Sequence, residues 1–419
     1  MKLFLAAAKD SREARAARTA SRRLPAARTL LAGLAAAVSV SGLIAPVAHA
    51  APPGGDAWVV SVGDSYISGE AGRWAGNSSD PAQADALGDA AYLDAGQSER
   101  TGGCHRSSSA EISIGQAQAL NLACSGAKTA TSWNSSGEFK PGLDFYNDAA
   151  GNTGQALELQ RFASSHRVRM VVVSIGGNDL GFAGIIATCV SKFMTSPWWA
   201  PSYCKDSTTV ATNFSAANRA AVAARIGTSL ANVAKAMGNA GYAPGEYSLV
   251  VQNYVSPLPR SSRIAYSESG FSRQSTYGCG FWNADLDWAA GTAVPAINST
   301  ISAGIAASGV SGVRTLNVSA LFSGHELCAD TTKKLNNTAL ADWRSAGAAD
   351  LSEWINEIRT ASTAFSDYYI QESLHPNYWG QLALRNCLRQ AYNGGDVRSG
   401  SCTAGTGLTS GGEPAVTLS

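Results

Sequence analysis

The sequence predicts an α/β protein, a three-layer α/β/α sandwich around a mostly parallel sheet, with loop insertions stapled by disulfides. Three observations predict it. Short β-branched apolar runs alternate with longer stretches of helical periodicity, the pattern of strand–helix–strand units. The strongest run, "VRMVVVSIGG" (168–177), holds five apolar residues between Val168 and Val173, as a strand covered on both faces requires. Eight cysteines, an even number, all lie beyond residue 100, as in an exported chain cross-linked by disulfides.

Taken in order, residues 1–50 read as a signal peptide. They carry eight Lys/Arg against two acids, then "TLLAGLAAAVSVSGLIAPVAHA", ending in the A-x-A-type site Ala48-His49-Ala50. A transmembrane anchor fits less well, because Gly42 and Pro46 interrupt a short apolar core. Ser21-Arg22-Arg23-Leu24 hints at twin-arginine export, but Pro25 interrupts the hydrophobic follow-on, so the route stays open. "AWVVSV" (57–62) reads as a strand, and "QALNLAC" (118–124) as a second. "GQALELQRFASSH" (154–166) has helical spacing, 168–177 is a strand, and "AANRAAVAARIGTSLANVAKAMGNAG" (216–241) is an amphipathic helix. "YSLVVQNYV" (247–255) is a strand, 294–309 a helix, 313–322 a strand and 377–395 a last helix stopped by Gly394-Gly395. Segments 73–103, 190–215 and 260–290 fit no such unit and read as surface insertions. "LADWRSAGAADLSEWINEIRTA" (340–361) reads as helical. The main domain is expected over residues 51–395, with 396–419 a partly disordered tail.

Removing residues 1–50 takes the formal charge from +1 to −5 and leaves 369 residues. A mildly acidic chain is a poor partner for a phosphate backbone, so nucleic acid is set aside. No other stretch is long and apolar enough to span a bilayer. Eight cysteines allow 105 pairings; the simplest is sequential, Cys104–Cys124, Cys189–Cys204, Cys279–Cys328 and Cys387–Cys402. With no C-x-x-C and four histidines left after cleavage, neither a metal site nor a cofactor is expected.

A serine nucleophile needs a base within reach and donors aimed at the developing oxyanion. Ser65 follows the first strand in "VVSVGDSYISGE" and, alone, reads equally as a helix-capping hydroxyl. Gly126 in "ACSGA" follows the second strand, and Asn178 in Gly176-Gly177-Asn178-Asp179 follows the third, where working loops of parallel sheets sit. Of the histidines, His375 in "QESLHPNYWG" is the best base, on a loop before the last helix with Glu372 three residues upstream.

These four blocks, in this order, resemble the SGNH hydrolase superfamily, the GDSL-type esterases and lipases, across residues 57–395. "CHRS" and "ACSGA" bring it nearest the secreted actinobacterial branch. The resemblance implies a flavodoxin-like fold, Ser65 as nucleophile, His375 as base, and an oxyanion hole of Ser65 N–H, Gly126 N–H and the Asn178 amide. It also implies sequential disulfides. Tyr66 stands where the family's eponymous leucine does, and Glu372 stands where the family has Asp. Glu372 is expected to orient His375; some relatives use a backbone carbonyl there. Asp64 is expected to tie its own turn. The G-x-S-x-G elbow, a Walker loop and H-E-x-x-H are absent.

The expectation is a secreted, monomeric ester hydrolase acting on lipid or short acyl esters. De-acetylation of a glycan such as xylan is the alternative on the same machinery. The rival of another class is a non-catalytic envelope- or glycan-binding protein, against which the joint presence of Ser65, Gly126, Asn178 and His375 speaks. Trp198-Trp199, between Cys189 and Cys204, read first as aromatics packed under a stapled loop and second as an apolar lip; Phe281-Trp282 read likewise.

Overall fold

The computed structural model describes residues 52–93, 101–359 and 370–419; the expected signal peptide lies outside them. Nine strands are present among these residues: β1 (Trp58–Gly63), β2 (Gln118–Asn121), β3 (Ser132–Trp133), β4 (Phe139–Lys140), β5 (Val168–Ser174), β6 (Ser248–Gln252), β7 (Arg314–Asn317), β8 (Gly400–Leu408) and β9 (Pro414–Leu418). Seven form one sheet in the order β2-β1-β5-β6-β7-β8-β9, parallel except for β9, which runs antiparallel to β8. β3 and β4 form a separate small hairpin.

The apolar runs explain the central strands. Val59, Val60 and Val62 of β1 and Val171, Val172 and Val173 of β5 are fully buried, so both faces of the sheet are covered there. The helix Ala216–Asn239 starts at Ser215, whose side chain accepts from the Asn218 N–H at 3.2 Å. It buries Val222, Ile226, Leu230, Val233 and Met237 at helical spacing, and packs against the helices Gln155–Ala163 and Val294–Ala307. The last helix, Tyr378–Tyr392, is capped by Asn377 and packs against β8 and β9.

Topology places the working loops. The chain leaves β1 for β2 on one side, then returns to β5 on the other. The loops after β1 and β5 therefore flank a switch point at the carboxyl edge of the sheet, where open α/β sheets bind ligands. The four disulfides pair sequentially, as the resemblance implied.

Three expectations are corrected. The segment 340–361 is helical only at Ala348–Leu351. Beyond it the backbone is extended, because Trp354 N–H, Asn356 N–H and Ile358 N–H donate to His325, His375 and Gly278 carbonyls rather than within a helix; residues 360 and 361 lie outside the described residues. The tail from Gly400 is the hairpin β8–β9, which closes the sheet edge and is held by Cys387–Cys402 and the Arg389–Glu413 ion pair. Trp198 and Trp199 do not pack under their loop but are 61% and 72% exposed, whereas Phe281 and Trp282 are buried.

Gly63, the last residue of β1, makes the turn into Ser65. Its φ is 146°, and a Cβ there would lie 2.0 Å from the Ser174 carbonyl oxygen on β5. Gln155 clasps it from the other side: Gly63 N–H donates to Oε1 at 2.7 Å and Nε2 donates to Gly63 O at 2.9 Å. Gly63→Ala is expected to cost about 3 kcal/mol or more through strain and clash, read as a lowered midpoint in urea; an unchanged midpoint would contradict this account.

Candidate active site

Ser65 opens a single helical turn, Ser65–Ser68, at the end of β1. Asp64 caps that turn, its carboxylate accepting from Tyr66 N–H at 3.2 Å. The other Asp64 oxygen accepts a short hydrogen bond from Tyr254, whose hydroxyl in turn accepts from Gly177 N–H at 3.1 Å. Burial pushes the Asp64 carboxyl up to about 7, against the lowering pull of the Tyr254 and Tyr66 bonds. Asp64 thus joins the loop after β1 to the loop after β5.

His375 Nε2 lies 2.7 Å from Ser65 Oγ, and both side chains are nearly buried. This is the contact a serine nucleophile needs of its base. Leu374 O accepts from the Tyr66 hydroxyl at 2.8 Å, and Leu374 and His375 exchange backbone hydrogen bonds with Asn356. Burial lowers the His375 pKa, partly offset by the nearby Glu70 charge and by the Ser373 and Glu372 carbonyls. The imidazole is therefore neutral at neutral pH, the form that can accept the serine proton.

The structure also brings the two other blocks to this point. Gly126 sits at φ 77°, a left-handed turn that favours glycine. Among the described residues, neither Ser65 N–H nor Gly126 N–H donates to a protein acceptor. Asn178 Nδ2 uses one N–H on Ala127 O at 3.0 Å, which leaves its second hydrogen. Asp179 latches the Gly126 loop further, accepting from Thr129 N–H at 2.9 Å and Thr129 Oγ1 at 2.6 Å. Three N–H donors on three strand-end loops are thereby left without protein acceptors, the raw material of an oxyanion hole.

Glu372 does not reach the base. It is fully buried, and its carboxylate accepts from Trp74 Nε1 at 2.8 Å and, by a short bond, from the Tyr92 hydroxyl. Leu374, left-handed at φ 59°, turns the chain between Glu372 and His375, so the two side chains diverge. No side chain among the described residues bonds His375 Nδ1, which meets no acceptor in good hydrogen-bond geometry; the groups that act on the ring from its own loop are the Ser373 and Glu372 carbonyls. The carboxylate that does face the imidazole is Glu70, whose Oε2 lies 3.7 Å from Nε2. Residue-by-residue reading missed Glu70. Its one sequence signal is Gly69, which ends the Ser65 turn at φ 92° and swings the next residue back.

An apolar pocket opens beside Ser65, walled by Phe182, Val255, Pro257, Val294 and Ile297. A second apolar pocket shares Phe182, Pro257, Val294 and Ile297 and continues past Phe281 and Trp288. Among the described residues no cluster of His, Cys, Asp and Glu could hold a metal ion, and no helix is long and apolar enough to cross a membrane.

No protein-family model and no curated protein matches the chain. Among solved structures, an extracellular lipase from Streptomyces rimosus is similar over 80% of this chain and 99% of its own, at 20% identity and a TM-score of 0.43. A phospholipase A1 from Streptomyces albidoflavus NA297 is similar over the same shares, at 22% identity and a TM-score of 0.42. A family two carbohydrate esterase from Clostridium thermocellum is similar over 82% of this chain and 66% of its own, at 12% identity and a TM-score of 0.33. At these identities no residue role is carried over from them, and the chemistry rests on the distances above.

The placement of Glu372 gives a split between stability and activity. Glu372→Gln is expected to lower Tm, because two buried donors lose their carboxylate, while kcat falls by less than about tenfold. His375→Ala is expected to lower kcat by roughly 10³-fold or more. Equal losses in the two variants would mean that Glu372 acts through the imidazole after all.

Proposed function

We propose that this chain is an SGNH-type serine hydrolase that cleaves carboxylic esters through an acyl-enzyme on Ser65. The single observation that carries the reading is the 2.7 Å contact of His375 Nε2 with Ser65 Oγ, beside three N–H donors without protein acceptors. A hydroxyl is a weak nucleophile until its proton has somewhere to go. Ser65 Oγ attacks the ester carbonyl carbon as Nε2 takes the proton. The carbonyl oxygen becomes an oxyanion and accepts from Ser65 N–H, Gly126 N–H and the free Asn178 hydrogen; each such donor is worth ~3–4 kcal/mol of barrier. Collapse breaks the bond to the leaving oxygen, which receives the proton from His375. Water then attacks the acyl-serine, giving its proton to His375, and the acid leaves as Ser65 regains its hydrogen.

The apolar walls beside Ser65 favour esters with an extended acyl chain over acetylated glycans. Four disulfides fit an oxidising, extracellular setting. The exposed Trp198-Trp199 pair lies outside both pockets and is not used in this reading.

Ser65→Ala is expected to abolish p-nitrophenyl ester turnover and fluorophosphonate labelling while the circular dichroism spectrum stays that of wild type. Persistent turnover in the folded variant would remove Ser65 from the chemistry. In a chain-length series, octanoyl esters are expected to exceed acetyl esters in kcat/KM. Val294→Trp, which enlarges a residue lining both pockets, is expected to reverse that order by at least about tenfold. A wild-type preference for acetyl groups would instead favour the de-acetylating alternative.

A further inference from the structure

An imidazole that takes a proton in a buried site needs a counter-charge, and here the expected one is turned away. Nδ1 faces no carboxylate. Glu70 lies on the opposite edge of the ring, Oε2 at 3.7 Å from Nε2, and is 1% exposed. Its place follows from the turn that carries the nucleophile: Gly69 is left-handed, and Glu70 N–H donates back to Ser65 O at 3.2 Å. A Cβ on Gly69 would lie 2.2 Å from Ser107 Oγ, so the turn has little room to open.

The same carboxylate is tied to two further loops. Oε2 accepts a short bond from Ser125 Oγ, the residue before Gly126. Oε1 pairs with His105 Nδ1 at 3.0 Å, and the His105 ring meets Gln371 of the base loop at 2.8 Å. Glu70 therefore touches the segment bearing the oxyanion donor Gly126 and, through His105, the segment bearing the base.

We propose that Glu70 is a positioning residue of the Ser65–His375 pair, serving as the counter-charge for the imidazolium from its Nε2 side and holding the Gly126 loop through Ser125. This rests on the ester-hydrolase reading above and supplies, from a different direction, the electrostatic part of what Glu372 was expected to do. Burial pushes the Glu70 carboxyl up, but the charges of His375 and His105 and the bonds from His105 and Ser125 outweigh it and hold it below the usual range. It is thus ionised wherever His375 works, in a site where little water screens the pair. It is not a second base, because a carboxylate so stabilised has little affinity for the serine proton.

The sign of its effect on His375 can be tested. Three neighbours face the imidazole: Glu70, which raises its pKa; His105, which lowers it; and Tyr66, whose ring centre lies 5.1 Å away. Beyond them lie Asp64, held by Tyr254, and Glu372, held by Trp74 and Tyr92. Removing the Glu70 charge lowers the His375 pKa further. The acid limb of kcat/KM, which reports the neutral base, then moves to lower pH.

The experiment is the pH profile of p-nitrophenyl ester hydrolysis by Glu70→Gln beside wild type. The expected result is a kcat roughly 10²-fold lower with KM little changed, and an acid limb displaced to lower pH. Glu70→Asp, with its carboxylate one methylene further back, is expected to return the limb part of the way to wild type. An acid limb unmoved in Glu70→Gln overturns the proposal even if kcat drops, because a purely structural loss leaves the imidazole's titration alone. Where Glu70→Gln does not fold, Glu70→Asp decides: a smaller shift in the same direction supports the proposal, and an unmoved limb overturns it. Failure of the ester-hydrolase reading is separate, since it appears as a wild type without turnover or as turnover that survives Ser65→Ala.

Discussion

The hydrogen bond from Ser65 Oγ to His375 Nε2 joins residues 310 positions apart, and much of the buried polar structure exists to keep its two ends together. On the serine side, Gln155 clasps Gly63, Asp64 caps the turn, and Tyr254 ties Asp64 to the loop after β5. On the histidine side, Tyr66 holds Leu374 O, and Asn356 pairs with the backbone on both sides of the imidazole. Tyr66 belongs to the nucleophile's turn, so it fastens the base to the nucleophile directly. Most buried polar groups in this network have a partner, since leaving one unpaired costs about 1–3 kcal/mol; His375 Nδ1 and Asn356 Oδ1 are its exceptions among the described residues. The network consequently has little freedom to relax the reacting distance.

Two carboxyls flank Ser65 in sequence, and their surroundings drive them apart. Asp64 is bound by a phenol and a backbone amide, neither of which carries charge, and burial wins. Glu70 is bound by one imidazole, sits near a second and accepts from a serine, and it stays ionised. Seven residues of chain thus hold one carboxyl that titrates near neutrality and one that does not, an arrangement that separates a structural cap from an electrostatic role.

The parts legible in the sequence are those whose cause is local. β1 and β5 announce themselves because a strand covered on both faces must be apolar at nearly every position. Ser65, Gly126 and Asn178 stand at strand ends that periodicity alone locates. What was illegible depends on distant partners. Residues 352–358 carry a helix-like spacing, yet their backbone hydrogen bonds go to segments around His325, His375 and Gly278, which no local pattern records. The tail after Gly400 is polar and glycine-rich like a disordered segment, but it has a sheet edge and a disulfide to order it. Glu372 lay at the right spacing from His375, and the left-handed Leu374 between them redirected it. Glu70 stands in the plainest motif of the chain, yet its partners His105, Ser125 and His375 are brought to it only by the fold.

The bridge between Cys104 and Cys124 gains a further meaning from its immediate neighbours. His105 follows one cysteine and Ser125 follows the other, and these are the two residues that grip the Glu70 carboxylate. A single covalent link therefore sets the span across which that carboxylate is gripped. The surroundings of the nucleophile thus include a covalent bond that only an oxidation can make, so the completed reactive centre depends on redox chemistry as well as on conformation.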